Sequence, residues 1–170
     1  NESVNLARIE AYDISNISGK FPVGSMVVLT NGSIDKKMYR RFKIRGEALP
    51  NDYRMMEEVL RRRLTNDTLG SLPGLILVDG GKGQLAVALR LLNEMGLNIP
   101  VAALAKKMEI LYLPAKEKGS SRKVIIPRAS PALLLLQQIR DESHRFALSY
   151  HRLLRKKGFV GGFDTNSTPC

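Results

Sequence analysis

Two acidic residues follow strand-like segments of this chain, and both could bind a metal ion. Asp79 comes directly after the apolar residues 75–78 and precedes a glycine-rich turn. Four successive apolar residues predict a central strand covered on both sides, whose carboxyl end is where α/β sheets place catalytic groups. Asp13 lies in a comparable segment upstream. Two carboxylates that meet across neighbouring strand ends would form a hard-cation site.

Other roles are open to the same residues. A phosphate-binding P-loop is excluded, because it needs glycine five positions before the Gly-Lys pair and Ser or Thr after it, where this chain has Ile76 and Gly83. Asp13 could simply form a turn beside Ser15. Asp79 could simply cap the helix that follows it.

The composition favours one domain with a polyanionic partner. A chain of 170 residues with 44% apolar content can build a single sizeable core. Its net charge of +11 favours nucleic acid. We find neither a segment approaching the roughly 20 apolar residues of a membrane span nor a secretory signal. We therefore expect a cytoplasmic or nucleoid-associated protein that does not bind membranes.

The hydrophobic pattern predicts the strands that would position the acids. Asn31-Gly32 is a strong hairpin signal. The return strand carries a cationic face, which we expect to point to solvent, with contact to nucleic acid as the alternative. The predicted strands span residues 7–15, 26–29, 37–45, 72–79, 101–105, 110–113 and 124–126, and the cationic face comprises Tyr39, Arg41, Lys43 and Arg45.

Three helices are predicted between and after these strands. The first begins at a cap residue, Asn51 or Asp52, and ends with three arginines at residues 61–63, where cations complement the helix dipole. The second spans residues 84–94 and the third runs from Ser130-Pro131 through residue 154. We expect a domain over residues 1–157 and a disordered tail over 158–170.

Several motifs together carry a family resemblance. They are Tyr12-Asp13-Ile14-Ser15; Tyr39-Arg40-Arg41-Phe42-Lys43-Ile44; Asp52-Tyr53 with Leu60-Arg61-Arg62-Arg63; Asp79-Gly80-Gly81-Lys82-Gly83-Gln84-Leu85; Ser130-Pro131-Ala132; and Ile139-Arg140-Asp141-Glu142-Ser143-His144-Arg145-Phe146-Ala147. In this order they resemble the C-terminal nuclease half of the UvrC family, a component of the ABC excinuclease. The resemblance covers about residues 7 to 157.

The resemblance implies an α/β fold of the ribonuclease H-like type, with a mixed five-stranded sheet flanked by helices. It implies a metal-dependent DNA endonuclease that makes the 5′ incision at a lesion in bacterial nucleotide excision repair, within the SOS response. Carried over by residue, Asp13, Asp79 and His144 form a catalytic triad that binds the metal, and Asp52 matches a further catalytic acid. Oxygen ligands suit Mg²⁺ or Mn²⁺, and the imidazole favours Mn²⁺.

Neighbouring residues offer alternatives on the last helix. Asp141 and Glu142 are other candidates for the third ligand, although neither shares the helix face of His144. His151 lies near that face, two turns along.

Basic residues near the predicted site are candidates for binding nucleic acid. They are Lys82, which could instead simply begin its helix, Lys106 after an apolar strand, and the cluster Arg152, Arg155, Lys156 and Lys157. The expected partner is damaged double-stranded DNA. UvrB is a partner implied for the full-length protein, but the chain shows no counterpart of its UvrB-binding segment, GIY-YIG nuclease or helix-hairpin-helix module. We therefore expect an excised fragment or a shortened homologue, and a monomer.

Two other functions compete with the endonuclease. One is a catalytically silent module that binds DNA or UvrB through its basic surface. The other is a ribonuclease H-type enzyme acting on RNA in hybrids or on recombination junctions, which the UvrC-like motifs disfavour.

Overall fold

The computed structural model describes residues 6–15, 22–44, 51–105, 110–117 and 119–160, with backbone only for 151 and 153–160. The strands are β1 (Arg8–Ser15), β2 (Val23–Thr30), β3 (Ser33–Ile34), β4 (Arg40–Lys43), β5 (Leu75–Asp79), β6 (Val101–Ala105), β7 (Ile110–Pro114) and β8 (Ser121–Val124). The helices are α1 (Asp52–Leu64), α2 (Lys82–Glu94) and α3 (Pro131–Val160).

The described strands form one mixed sheet in the order β3-β2-β1-β5-β6-β7-β8, with β4 also paired to β2. β1, β5 and β6 are parallel, whereas β2 and β7 run antiparallel to their neighbours β1 and β6. The predicted mixed α/β sheet is confirmed. It has more than five strands because the return strand divides into β3 and β4 and a hairpin, β7–β8, extends the other edge.

The helices cover both faces of the sheet. α1 and α2 pack on one face, in a core that includes Tyr12, Val78 and Leu85. α3 packs on the opposite face through Ile139, against a second core that includes Ala11 and Leu77. Because side chains alternate along a strand, neighbouring residues of β1 and of β5 face different helices.

The Asn31-Gly32 turn is confirmed, but the strand after it differs from the prediction. Asn31 and Gly32 have φ of 50° and 76°, the positive values that a type I′ hairpin requires. β3 pairs with β2 at residues 33–34, a 3₁₀ turn follows at Lys36–Met38, and β4 then pairs with β2 again over residues 40–43. The predicted strand over residues 37–45 is thus shorter in its described part, and Tyr39 is buried while Arg41 and Lys43 are exposed.

Two helix predictions also need correction. Asn51 is the cap of α1, since its side chain accepts from the backbone N–H groups of Tyr53 and Arg54. The helical spacing of Tyr53, Met56, Leu60 and Leu64 predicts one apolar face. Tyr53 is nevertheless half-exposed, because it lies in the first turn, beyond the residues that α1 buries against the sheet. α3 continues past the predicted residue 154 to Val160. The predicted tail therefore begins inside this helix, and residues 161–170 lie outside the described residues.

The predicted second strand of the last hairpin is also displaced. β8 spans Ser121–Val124 rather than residues 124–126, because its pairing with β7 begins at Pro114 and Ser121, just across the turn. No helix of the described residues is both long and apolar enough to cross a membrane.

Candidate metal centre

The register of the two central parallel strands brings the acids together. Tyr12 on β1 pairs with Val78 on β5, so the next residues along the two strands are Asp13 and Asp79. Tyr12 and Val78 face α1 and α2. Alternation therefore turns both acids toward α3, at the carboxyl edge of the parallel strands.

A glycine turn ends β5 directly after Asp79. Gly80 has φ of 149°, which side chains rarely adopt, and a Cβ there would lie 2.5 Å from Cδ of Gln84. The Gln84 side chain instead folds back and accepts from the Gly81 backbone N–H at 3.1 Å. This bond fixes the chain between Asp79 and the first turn of α2.

The third member of the site comes from α3, which packs closely on β1 and β2. Ser143 is fully buried, and its carbonyl accepts a hydrogen bond from the Ser25 hydroxyl at 3.2 Å. Ser25 lies directly opposite Asp13 in the β1–β2 pairing. The small Ser143 side chain allows this close approach, and the next residue, His144, reaches the acids.

Asp13, Asp79 and His144 form a compact cluster. One ligand atom from each lies within 4.8 Å of those of the other two. The His144 Nδ1 atom lies 3.2 Å from the Asp13 Oδ2 atom. Asp13 is buried, whereas Asp79 and His144 are partly exposed, so one side of the cluster opens to solvent.

The donor set fits a hard divalent ion. Ligands on opposite sides of a Mg²⁺ ion are about 4.2 Å apart, twice a metal–oxygen distance of about 2.1 Å, so a 4.8 Å spread requires only small side-chain shifts. Two carboxylates held this close repel each other, and a cation would relieve that repulsion. Carboxylate oxygen with one imidazole nitrogen suits Mg²⁺ and Mn²⁺.

The two alternative ligands on α3 lie elsewhere. Glu142 accepts hydrogen bonds from Arg145 at 2.6 and 2.7 Å and from the Tyr39 hydroxyl at 3.1 Å. Asp141 accepts from Arg140. Neither belongs to the metal-ligand cluster found in the described residues.

Two other predicted site residues, Asp52 and Lys82, lie at the starts of the helices α1 and α2. Asp52 is exposed at the first position of α1 and is not part of the three-residue cluster. Its neighbour Tyr53 packs over Gly83, where a Cβ would collide with the tyrosine ring. The start of α1 therefore lies beside the start of α2, where Lys82 is exposed.

The remaining predicted nucleic-acid contacts are only partly described. Arg152 is exposed on α3. Lys106 lies outside the described residues, as do the side chains of His151, Arg155, Lys156 and Lys157.

Sequence reasoning missed the buried polar network that supports β1. Glu10 and Arg63 are both almost fully buried and form an ion pair at 2.8 Å. Arg8 and the Tyr12 hydroxyl also donate to Glu10, and Arg63 donates to the Ser71 carbonyl at 2.7 Å. Arg63 thus ties α1 to β1 and to the segment that leads into β5. The available signal was Glu10, a charged residue that shares a strand face with the apolar core residue Tyr12, two positions later.

Comparisons with known proteins show which family this chain is similar to. Residues 2–148 match the family described as the UvrC RNAse H endonuclease domain. The UvrABC system protein C of Methanosphaera stadtmanae is 50% identical over 163 residues, covering 89% of this chain and 26% of that protein. The protein of the same name from Dictyoglomus thermophilum is 50% identical over 151 residues, covering 88% and 24%. The chain spans about a quarter of the length of these relatives.

Solved structures with a similar chain path include two endonucleases. Human ENDOV has a TM-score of 0.42 and 21% identity, covering 60% of this chain and 46% of that chain. Endonuclease V of Bacillus subtilis has a TM-score of 0.41 and 14% identity, covering 85% and 81%.

Proposed function

The chain belongs to the UvrC RNase H endonuclease domain family, and on that premise we propose that it is a metal-dependent DNA endonuclease with a ribonuclease H-like fold. Its reaction would be phosphodiester hydrolysis at the 5′ side of a lesion during nucleotide excision repair. Damaged double-stranded DNA would be the substrate, and UvrB a partner of the longer protein. The observation that carries the proposal is the convergence of Asp13, Asp79 and His144.

These three residues would hold Mg²⁺ or Mn²⁺. When bound, the ion would lower the pKa of a water nucleophile and neutralise charge on the phosphate. Asp13 is buried at the sheet surface, which fixes its position, while Asp79 and His144 leave the solvent side open to substrate. Lys82, exposed in the first turn of α2 after Asp79, would bind the phosphate backbone.

Asp52 enters the proposal as an acid outside the ligand set. It precedes Tyr53, whose ring contacts Gly83 in the first turn of α2, and α2 follows the turn after Asp79. We propose that it contributes to catalysis without holding the ion, so its removal should slow cutting while metal binding persists.

The proposal is tested by Asp→Asn substitutions, which keep side-chain volume and remove the charge. Asp13→Asn and Asp79→Asn, introduced at the matching positions of a full-length relative, should lower 5′ incision of a lesion-containing duplex by at least about 100-fold, because each removes a metal ligand. In the present chain, both variants should lose the rise in melting temperature that Mn²⁺ produces by binding the folded state.

Asp67→Asn is the matched control, since Asp67 is exposed and lies outside the cluster. It should retain both incision and the Mn²⁺ effect. Near wild-type incision by either cluster variant would refute the catalytic assignment. Absence of incision by the unaltered relative, with Mn²⁺ still stabilising the present chain, would favour a catalytically silent DNA- or UvrB-binding module.

A further inference from the structure

Arg41 lies in the same transverse row of the sheet as the metal-ligand cluster. It pairs with Ser25 across β4 and β2, and Ser25 pairs with Asp13 across β2 and β1. Directly opposed residues lie on the same face of a sheet, so Arg41 and Asp13 share the α3 face. Two strand spacings of about 4.8 Å separate their Cα atoms by about 10 Å.

Lys43 continues the same face away from Arg41. It pairs with Val23, which pairs with Ser15 on β1, so Lys43 lies two residues farther toward the open carboxyl edge. Phe42, between the two cations, is buried in the core beneath α1. Arg41 and Lys43 are exposed and project together from the face that carries the cluster.

The Arg41 guanidinium is held in place by α3. Its Cζ lies 3.8 Å from the Phe146 ring centroid and 5.3 Å from that of Tyr150. One Nη2–H donates to the Ser149 hydroxyl at 2.8 Å. A planar guanidinium with five donors that is fixed by stacking loses little entropy when it binds a phosphate.

Among the residues that the structure describes, no carboxylate forms an ion pair with Arg41. Glu142, the neighbouring acid on α3, is bound by Arg145 and Tyr39. The ion pairs formed among the described residues do not include Arg41 or Lys43. Arg152 adds a third exposed cation, since it follows Ser149 by three residues and so lies on the same helix face.

We propose that Arg41 and Lys43 bind backbone phosphates of the DNA strand beside the bond to be cut. Because the Cα atoms of Arg41 and Asp13 lie about 10 Å apart, the contacted phosphates would lie within about three nucleotides of the cluster. Together with Arg152 on α3, these two residues form what we call the cationic strip. The inference rests on the proposed function in taking DNA as the ligand. It concerns the affinity for DNA and the position of the bound strand, not the chemistry of cutting.

The test is the salt dependence of binding to a fluorescently labelled DNA duplex, measured by anisotropy with EDTA present so that no cutting occurs. Each lost phosphate contact should reduce the slope of log K against log salt by about 0.9. The double variant R41Q/K43Q should therefore lose about 1.8 from the slope and bind about tenfold more weakly at low salt. R41K/K43R, which keeps both charges, should keep the salt slope of the unaltered chain, even where loss of the stacked Arg41 guanidinium weakens binding.

R122Q/K123Q is the matched control. Arg122 and Lys123 are exposed on β8 at the far edge of the sheet, and their replacement removes the same charge from the same residue types. Equal losses in both double variants would show that only net charge matters and would overturn the proposal, as would an unchanged slope in R41Q/K43Q. Undetectable binding by the unaltered chain at low salt would also contradict it.

Urea unfolding of each variant shows whether Arg41 is needed for packing. A folded R41Q/K43Q chain with weakened binding and intact Mn²⁺ stabilisation supports the cationic strip alone. The metal proposal fails if the cluster variants keep their Mn²⁺ stabilisation. This inference fails if R41Q/K43Q keeps its salt slope. The two failures therefore give different results.

Discussion

His144 and Glu142 leave α3 on different sides, and their surroundings give them different roles. His144 contacts Asp13 beside the open edge of the sheet. Glu142 is mostly buried between Tyr39 and Arg145. Hydrogen bonds from Arg145 hold the pKa of Glu142 below its usual 4.5. Burial, followed by the Glu142 charge, raises the pKa of Tyr39, so its hydroxyl stays protonated and donates.

These shifts predict a pH dependence of stability. Because the folded pKa of Glu142 is lowered, its contribution is complete above the unfolded pKa of about 4.3 and is lost as the pH falls through the folded value. Glu142→Gln should lower the free energy of unfolding by about 1–2 kcal/mol at pH 7. Urea unfolding at pH 7 and pH 3 should show the difference from the unaltered chain shrinking at the lower pH. A difference that grows on acidification would contradict this assignment.

At the scale of single residues, the two acids were predictable and their partners were only partly so. An apolar run that ends in a carboxylate indicates a strand-end acid, and strand alternation is a local property. The third ligand depends on how α3 crosses the sheet, which local patterning does not encode. His144 entered through the family resemblance, and its position depends on the buried Ser143–Ser25 contact.

At the scale of elements, Gly80 links the predicted strand to the predicted helix. Gly80→Ala should destabilise the chain by about 1–3 kcal/mol, because φ of 149° strains a residue with a side chain. Its Cβ would also displace Gln84 from the Gly81 N–H. Weaker Mn²⁺ binding should accompany the loss, since the turn positions Asp79.

Gly81→Ala is the control for this prediction. Gly81 has φ of −116°, and a Cβ there would meet no atom within 4 Å. Urea unfolding should place it within about 0.5 kcal/mol of the unaltered chain. Equal effects of the two substitutions would show that the turn does not depend on the conformation of Gly80.

Helices with caps and periodic apolar residues were easier to predict than edge strands. α2 and β6 follow the predicted spans closely, because their apolar residues are buried in continuous patterns. β3, β4 and β8 are short edge strands whose limits are set by hydrogen bonding to β2 or β7. β4 and β8 are rich in Lys and Arg and β3 has only two residues, so these sequences give little apolar signal for those limits.

At the scale of the whole molecule, one sheet separates two hydrophobic cores, and the polar groups on its two sides differ. The α1–α2 side contains the buried Glu10–Arg63 ion pair that supports β1, and the α3 side contains the metal-ligand cluster. The cationic strip, Arg41, Lys43 and Arg152, runs from the cluster across the α3 side. This division separates the residues that stabilise the central strands from those that we propose bind the metal ion and DNA.

The central claim is that Asp13, Asp79 and His144 together bind one divalent ion. The most direct measurement is anomalous diffraction at the manganese edge from crystals of this chain soaked in Mn²⁺. We expect a peak between the two carboxylates and the imidazole, at about 2.0–2.3 Å from an oxygen or nitrogen atom of each. A peak elsewhere, with these three side chains apart, or no peak at a saturating Mn²⁺ concentration, would contradict the claim.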